Sequence, residues 1–395
     1  MTTPILLLNC GSSSIKYQVI DGDSEQVAAS GIIQRIGEAT GTLDHTYQGR
    51  DHHLDAHFAD HAEALRVLVG VFGDVGPSLE EVRAVGHRTV HGGEAFRSTV
   101  VIDDAVLAKL RELSPLAPLH NPPGIAGIEA ARAVLPDVPH VAIFDTAFFA
   151  TLPAEAYTYA VDKDVARANG VRKYGFHGTS HSYVSKKVAE VLGRPYGELN
   201  QIVCHLGNGA SISAIRGGVA VDTSMGLTPL AGLVMGTRSG DVDPGLHAYL
   251  GRVLGLDLVG VDDLLNKRSG MLGLTGATDF RDINALIEGG DADAKLAMDV
   301  YVHRLVSYVG SYFALLGHVD VLTFTAGVGE NDARVRGHVL RRLEPLGFWM
   351  DAAANAVRSK EPRVISRPDS PVTVMDVPTN EELAMARETM AAIAK

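Results

Sequence analysis

A turn of small polar residues followed by a lysine is the first place where residue types and spacing could do chemistry. In the segment ILLLNCGSSSIKYQVI, Gly11, Ser12 and Ser14 lie between two apolar runs, and Lys16 comes shortly after them. Backbone N–H groups, hydroxyls and an ammonium in this order could hold an anion. The pattern is not a Walker loop, which places Gly-Lys-Ser/Thr at the start of a helix. A plain hairpin turn is the competing interpretation, and this segment alone favours the hairpin.

Two later segments change that balance. HLGNGASISAI, which begins at His205, repeats the order of strand, glycine-rich turn and strand. FTAGVGEND, which begins at Phe324, is a third glycine-rich turn that leads into a predicted helix. The N-terminus of a helix offers free N–H groups to a phosphate. Three such turns at strand ends predict one nucleotide bound in a cleft between two halves of the chain.

The elements that must position these turns alternate between strands and helices, which indicates an α/β fold. In each half, three consecutive strands (5–9, 15–20 and about 27–33 in the first) precede alternating helices and strands, which predicts an internal duplication. We expect a first domain at 1–147 joined by the C-terminal helix 383–395, and a nucleotide-binding second domain at 148–382. The glycine-rich region 227–277 is predicted to be irregular, with loops near the cleft.

Composition narrows the function classes. The chain has 395 residues and a net charge of −12, which disfavours nucleic acid and anionic membranes as partners. Cys10 and Cys204 have no paired spacing, so we expect neither a disulfide framework nor a zinc site. The N-terminus lacks the pattern of a signal peptide, and no apolar run is long enough to span a bilayer. These features predict a soluble cytoplasmic protein.

Nine motifs together resemble the acetate kinase family. They follow one another along nearly the whole chain: LNCGSSSIKY, GHRTVHGGE, PLHNPP, FDTAF, KYGFHGTSH, HLGNGAS, DTSMGLTPLAGLVMGTRSGDVDPG, AGVGEN and PTNEE. The resemblance implies an actin-like ATPase fold with two duplicated RNase-H-like domains and an interdomain cleft. It also implies reversible, direct in-line transfer of the ATP γ-phosphoryl group to acetate, giving acetyl phosphate and ADP. Mg²⁺ is the implied cofactor, with Mn²⁺ as a possible substitute, and a homodimer is the implied assembly.

The resemblance assigns roles to five candidate catalytic residues. Arg88 would hold the acetate carboxylate, and Arg238 would stabilise the transferring phosphoryl group. These roles suit arginine, whose flat fork matches carboxylate and phosphate oxygens. His177 would contact the phosphoryl group, with His120 in support. Asp145 could orient the arginines or act as a base, and we favour the orienting role because acetate is already ionised at neutral pH.

Other histidines leave alternatives open. His177 and His181 form an H-x-x-x-H pair, which could bind zinc on a helix. No Glu follows the first histidine and Gly178 weakens a helix there, so we favour the phosphoryl role for His177 and a structural or capping role for His181. His87, His91 and His205 flank the motifs and are predicted to form hydrogen-bonding scaffold.

The resemblance also implies the metal, nucleotide and substrate contacts. Asn9 and Glu381 match the magnesium positions, and a pair of oxygen ligands suits Mg²⁺ because it keeps several waters; Glu381 could equally be an acid favoured at a helix N-terminus. The nucleotide contacts would be Ser12, Ser14, Lys16, His205, Leu206, Gly207, Asn208, Gly209, Asp279, Phe280, Arg281, Gly327, Val328, Gly329, Glu330 and Asn331. The pocket around the acetate methyl would be Val90, Leu119, Phe176 and Pro229, although all of these could be core residues.

Two other functions stay open at this point. A pocket distinguishes one methylene by only about 1–3 kcal/mol, so a kinase of propionate or another short-chain acid is an alternative. A non-catalytic, nucleotide-dependent binding protein is the second, since actin-like folds also serve that purpose. Both phosphoryl-binding arginines, Arg88 and Arg238, are present, which favours the enzyme.

Overall fold

The computed structural model describes residues 3–394, so residues 1–2 and 395 of the predicted first domain lie outside the described part. The chain forms two compact units. The first runs up to Ala150 and resumes at Asn380, and the second spans Thr151–Thr379. Within residues 3–394, no helix has the length and apolar character needed to cross a membrane.

The strands occupy both units. In chain order they are β1 Pro4–Cys10, β2 Ser14–Asp21, β3 Val27–Gln34, β4 Gly41–Tyr47, β5 Arg50–Ala56, β6 Ala84–Thr89, β7 Val100–Val101, β8 His140–Phe144, β9 Asn200–Leu206, β10 Ala210–Arg216, β11 Val219–Thr223, β12 Val321–Thr325, β13 Arg363–Val364 and β14 Thr373–Asp376.

The helices fill the connections between strands. In chain order they are α1 His61–Val75, α2 Asp104–Glu112, α3 Asn121–Val134, α4 Ala154–Tyr157, α5 Lys163–Asn169, α6 Gly178–Leu192, α7 Gly245–Leu254, α8 Leu258–Lys267, α9 Gly270–Thr275, α10 Phe280–Glu288, α11 Ala292–Leu316, α12 Ala326–Asn331, α13 Ala333–Leu343, α14 Ala352–Ala356 and α15 Glu381–Ile393. Short 3₁₀ turns lie at Leu79–Glu81, Ser114–Leu116, Ala147–Thr151, Tyr196–Glu198 and Glu344–Leu346.

Each unit contains one sheet, and the two sheets share an order of strands. The first runs β5-β4-β3-β2-β1-β6-β8-β7, and the second runs β11-β10-β9-β12-β14-β13. Both contain three antiparallel strands, β3-β2-β1 in the first sheet and β11-β10-β9 in the second. Two parallel strands follow in each, β6 and β8 in the first and β12 and β14 in the second. The repeated order confirms the predicted α/β fold of duplicated RNase-H-like units.

The first sheet has a core on each face. Alternation in β2 buries Ile15 and Tyr17 on one side, where α1 packs through residues such as Phe72. On the opposite face, Ile5 and Leu7 of β1 pack against α15, together with residues of β6 and β8. Because α15 lies on this face of the first sheet, its N-terminal residues lie beside the ends of β1 and β6.

Three local predictions need correction. Two further strands, β4 and β5, extend the first sheet beyond the predicted three; β5 has no buried residue, so it lacks the apolar alternation that reveals a strand. The region 227–277 is not irregular throughout, because it contains α7, α8 and α9. The glycine-rich segment AGVGEN is itself the short helix α12 rather than a turn.

Candidate active site

The first cluster of predicted site residues forms where two parallel strands end. Arg88 lies near the end of β6, and Asp145 directly follows β8, the parallel neighbour of β6. The Arg88 Nε and Nη2 atoms donate to the two carboxylate oxygens of Asp145, at 3.0 and 2.8 Å. Asp145 is buried, and its charge is the main cause that raises the pKa of Arg88. The pair fixes one edge of the guanidinium and leaves Nη1 outside the ion pair.

A cavity of about 320 Å³ opens beside this ion pair, within the first unit. Asn9, Lys16, Arg88 and Glu381 are among the residues that line it. Asn9 and Lys16 are direct partners across β1 and β2, so their side chains lie on the same face of the sheet. The strand pairing therefore brings together a lysine and an amide that the sequence places seven positions apart.

Glu381 enters the cavity as the first residue of α15. The helix begins there because the Asn380 side chain accepts a hydrogen bond from the Leu383 N–H. Glu381 Oε2 lies 3.9 Å from Arg88 Nη2. Burial raises the pKa of Glu381 and the nearby Asp145 adds to the rise, whereas Arg88 opposes it. The carboxylate is therefore a partly buried group whose negative charge would be only partly compensated.

These residues fit a hard divalent cation. Asn9 and Glu381 offer a neutral and an anionic oxygen to the same cavity, and the uncompensated charge of Glu381 would be stabilised by a cation. Within residues 3–394 there is no cluster of three or more His, Cys, Asp or Glu side chains that could hold a metal. Mg²⁺ commonly keeps several waters and uses one or two carboxylates, so a sparse protein ligand set suits it.

The other predicted residues of the first unit have varied surroundings. Val90 directly follows β6 and is partly exposed. Leu119 is 51% exposed, and His120 follows it at the N-cap position of α3. Ser12 and Ser14 lie in the opening turn, which the Gly11 N–H closes by donating to the Ser14 carbonyl at 2.8 Å. The two serines do not line the cavity that contains Lys16.

A second cluster forms around Gly209 in the second unit. A Cβ atom at Gly209 would lie 3.4 Å from His177 Nε2 and 3.5 Å from Arg238 Nη1. Both predicted phosphoryl-binding side chains therefore border the same glycine. Arg238 Nη1 also donates to the carbonyl of Pro229 at 3.2 Å. The predicted residues His177, Gly209, Pro229 and Arg238 thus come together, although they span about sixty positions of the sequence.

Arg238 differs from Arg88 in having no acidic partner within residues 3–394. Burial lowers the pKa of Arg238. Because no carboxylate in the described part of the chain pairs with it, the positive charge of Arg238 is available to an anion. The loop that carries it is closed by Asp241, whose N–H donates to the Gly232 carbonyl at 3.0 Å and whose Oδ1 accepts from the Gly232 N–H at 2.7 Å. Arg304 and Tyr308 of α11 both donate to Asp241 Oδ2, at 3.1 and 2.7 Å. Sequence reasoning missed this anchoring.

His177 occupies an unusual backbone position. It is the N-cap residue of α6 with a φ of 59°, in the left-handed region that non-glycine residues seldom adopt. Its Nδ1 lies 2.9 Å from Ser211 Oγ, and its ring stacks on His205 with centroids 4.3 Å apart. His205 Nδ1 lies 2.8 Å from Ser180 Oγ, as expected for scaffold. Strained positions of this kind occur often at functional sites.

His181 is a buried structural histidine, and it does not cap α6. Its two ring nitrogens lie 2.8 Å from Ser211 Oγ and 2.8 Å from Ser213 Oγ. Burial holds its pKa well below the ordinary value, and His205 adds to that effect. Both ring nitrogens of His181 are occupied by serines, which disfavours the competing zinc hypothesis for His177 and His181.

A cavity of about 360 Å³ lies within the second unit. Arg281, Glu330 and Asn331 line it. Asp279 caps α10 by accepting the Arg281 N–H at 2.8 Å, and the two side chains also form an ion pair. The ring of Phe280 is buried edge-on to a tyrosine of α11. The other predicted contacts lie on α12, namely Gly327, Val328 and Gly329, and at the β9–β10 turn, namely Leu206, Gly207 and Asn208.

Two duplicated RNase-H-like units define the actin-like ATPase fold. A family model described as the acetokinase family matches residues 4–387. The chain therefore belongs to the acetokinase family, and it is an enzyme.

Relatives of known sequence and structure agree with this assignment. The chain is 53% identical over 392 residues to an acetate kinase of Leifsonia xyli subsp. xyli, covering 99% of both chains. The crystal structure of Porphyromonas gingivalis acetate kinase matches with a TM-score of 0.94 at 45% identity, covering 99% of this chain and 100% of that one. A propionate kinase from Francisella tularensis matches with a TM-score of 0.94 at 39% identity, covering 98% and 99%.

Proposed function

We propose that this enzyme transfers the γ-phosphoryl group of ATP to acetate by direct in-line attack, reversibly and with Mg²⁺. An acetate oxygen forms the new P–O bond while the bond to the leaving ADP oxygen breaks, and acetyl phosphate is released. The observation that carries the proposal is the Arg88–Asp145 ion pair, with Nη1 of the arginine free of the pair, in a chain of the acetokinase family. Acetate is ionised at neutral pH, so no residue has to remove a proton.

Arg88 is proposed to bind the acetate carboxylate. Its bidentate bonds to Asp145 set the plane of the guanidinium before the substrate arrives. Preorganisation of this kind lowers the cost of binding and fixes the attacking oxygen relative to phosphorus. Asp145 therefore orients Arg88 rather than acting as a base. His120 is proposed to support the same substrate contacts from the N-terminus of α3.

Arg238 and His177 are proposed to stabilise the transferring phosphoryl group. Their Nη1 and Nε2 atoms border Gly209, and Arg238 has no carboxylate partner within residues 3–394 to compete with the phosphoryl oxygens. Phosphoryl transfer depends mostly on positioning and on neutralising charge at these oxygens. Donors held in place before the reaction meet that need without reorganisation.

Asn9 and Glu381 are proposed to hold Mg²⁺, with Mn²⁺ as a substitute. When bound, the ion would neutralise charge on the nucleotide phosphates. Lys16, in the same cavity, would contact those phosphates, and Ser12 and Ser14 of the opening turn would contact them from outside that cavity. The residues of α12, the β9–β10 turn and the start of α10 would bind the rest of the ATP or ADP, which is consistent with the polar cavity lined by Arg281 and Asn331.

A propionate kinase activity is the second candidate. The structural match to a propionate kinase is the observation that favours it. Val90, Leu119, Phe176 and Pro229 are proposed to surround the substrate methyl group. A change of one methylene alters binding by about 1–3 kcal/mol, so a preference for one acid should be about 10-fold to 200-fold.

A homodimer is the proposed assembly, and the cytoplasm, where ATP and ADP are abundant, is the proposed location. Helix α7 has no buried residue, and Leu258 and Val259 of α8 are 79% and 75% exposed. Exposed apolar surface of this extent is typical of an interface. Light scattering on the purified protein should give twice the chain mass, and Leu258→Asp should reduce it; a wild-type monomer would contradict the proposal.

Trapping of the acyl phosphate tests the proposed reaction. The purified protein is mixed with ATP, Mg²⁺ and acetate, and hydroxylamine converts any acetyl phosphate to acetohydroxamate. Propionate and no-acid samples serve as controls. We expect more product with acetate than with propionate. Product favouring propionate would support the second candidate, and folded protein that gives no product with either acid would overturn the kinase assignment.

A further inference from the structure

A chain of buried hydrogen bonds leads from the interior of the second unit to His177. Ser213 Oγ lies 2.8 Å from His181 Nδ1, and His181 Nε2 lies 2.8 Å from Ser211 Oγ. Ser211 Oγ in turn lies 2.9 Å from His177 Nδ1. Ser211, Ser213 and His181 are fully buried. The hydrogen bonds thus connect two alternate positions on one face of β10 with the first turn of α6.

The direction of the hydrogens along this chain follows from its inner end. Within residues 3–394, His181 is the hydrogen-bond partner found for Ser213 Oγ. If His181 donated to Ser213, the buried Ser213 hydroxyl hydrogen would have no acceptor, which costs about 1–3 kcal/mol. The favoured direction is therefore the reverse, with the Ser213 hydroxyl donating to His181 Nδ1.

The remaining hydrogens then have one arrangement. His181 is neutral, as its burial requires, and carries a single ring hydrogen. With Nδ1 acting as an acceptor, that hydrogen is on Nε2 and is donated to Ser211 Oγ. The Ser211 hydroxyl hydrogen is consequently donated to His177 Nδ1. His177 accepts at Nδ1, so in its neutral form it carries its hydrogen on Nε2.

We propose that Ser213, His181 and Ser211 are positioning residues that hold His177 as the neutral tautomer with its hydrogen on Nε2. This atom borders Gly209, as does Nη1 of Arg238, so the hydrogen would be donated to an oxygen of the transferring phosphoryl group. The donation to the phosphoryl group rests on the proposed function. The tautomer itself rests only on the geometry of the second unit.

The groups around His177 favour the same neutral state. Protonation would place a hydrogen on Nδ1, reverse the chain and leave the Ser213 hydroxyl without an acceptor. The charged group across Gly209 is the guanidinium of Arg238, and the ring stacked on His177 is His205. A second positive charge beside Arg238 is unfavourable. His177 thus supplies a hydrogen bond while Arg238 supplies the charge.

Nuclear magnetic resonance of the full chain with ¹⁵N-labelled histidine tests the inference without substrates. His177→Gln identifies the signals of His177. We expect a neutral ring at pH 7 with hydrogen on Nε2. Ser213→Ala removes the donor at the inner end, so a tautomer with hydrogen on Nδ1 should become populated and the titration midpoint should rise. The control is Ser185→Ala, which removes a buried serine on α6 that hydrogen-bonds a tyrosine hydroxyl; this variant should change neither the tautomer nor the midpoint.

The outcomes separate the two proposals. Hydrogen on Nδ1 or an imidazolium in the wild type at pH 7 would overturn the inference, and this result does not depend on any variant folding. An unchanged tautomer and midpoint in folded Ser213→Ala would overturn it as well. In the hydroxamate assay, Ser211→Ala should lower kcat by about tenfold with little change in KM, the effect of one neutral hydrogen bond, and Ser211→Thr should restore it. If the expected tautomer were found in a protein that makes no hydroxamate, the chain of hydrogen bonds would be supported and the kinase assignment rejected.

Discussion

Replacement of Asp145 tests how the first unit prepares Arg88. Asp145→Ala would leave a largely buried guanidinium without the carboxylate that holds it at 3.0 and 2.8 Å. Breaking a buried ion pair from one side costs about 3–5 kcal/mol. Because Arg88 keeps 22% of its side chain exposed, we expect the lower end, about 3 kcal/mol, in the free energy of unfolding. Asp145→Asn keeps one acceptor and should cost about 2 kcal/mol.

The same replacement should damage the use of acetate. Without Asp145, the guanidinium can move toward Glu381, whose carboxylate lies 3.9 Å from Nη2. A loss of about 3 kcal/mol in the transition state corresponds to about a hundredfold fall in kcat/KM for acetate. The assays are urea denaturation and the hydroxamate rate measured over a range of acetate concentrations.

Asp104→Asn provides a matched control for the Asp145 variants. Asp104 also pairs with an arginine, at 3.0 Å, but its side chain is 93% exposed. Exposed ion pairs contribute about 0–1 kcal/mol, so neither the stability nor the acetate rate should change much. If Asp145→Asn behaved like Asp104→Asn in both assays, the orienting role of Asp145 would be refuted.

Three further predictions concern stability and loop position. Burial lowers the pKa of His87 and of His140, so the unfolded state binds more protons than the folded state below about pH 6.5. As the pH falls below that value, the free energy of unfolding should decrease by up to about 1.4 kcal/mol per pH unit for each histidine. A flat profile would contradict the conclusion that both histidines are neutral in the folded protein. Asp241→Ala should loosen the loop that carries Arg238 and lower kcat about tenfold or more, while the KM for acetate stays nearly constant. An unchanged kcat would refute the proposal that Asp241 anchors this loop. Gly270→Ala should lower the free energy of unfolding by well over 1 kcal/mol, because its Cβ would lie 2.2 Å from a carbonyl oxygen. Gly276→Ala, whose Cβ would have no atom within 4 Å, should lower it by about 1 kcal/mol. Thermal denaturation compares the two variants, and equal losses would contradict the packing argument.

The parts of the fold that bury a regular apolar face were predictable from the sequence. β2 alternates buried and exposed residues, and β12 is buried along its whole length. β5 lacks buried residues, and its sequence shows no apolar alternation from which a strand could be predicted. Its position follows from pairing with β4, which is a tertiary contact.

The sequence likewise predicted only some of the residues of the candidate site. Arg88 and Arg238 were found because short motifs surround them, and their assigned roles remain predictions. Ser213 and Tyr308 were missed because a buried serine and a helical tyrosine are ordinary residues until the fold gives them partners. Tyr308 meets Asp241 across 67 sequence positions, and nothing in either local pattern indicates the contact.

The reverse reaction tests the central claim most directly. The purified protein would be mixed with acetyl phosphate, ADP and Mg²⁺, and the phosphorus signals would be followed by ³¹P nuclear magnetic resonance. We predict that the signal of acetyl phosphate decreases while the three signals of ATP increase in equal amount. Loss of acetyl phosphate with formation of inorganic phosphate and no ATP would contradict direct transfer between acetate and ADP.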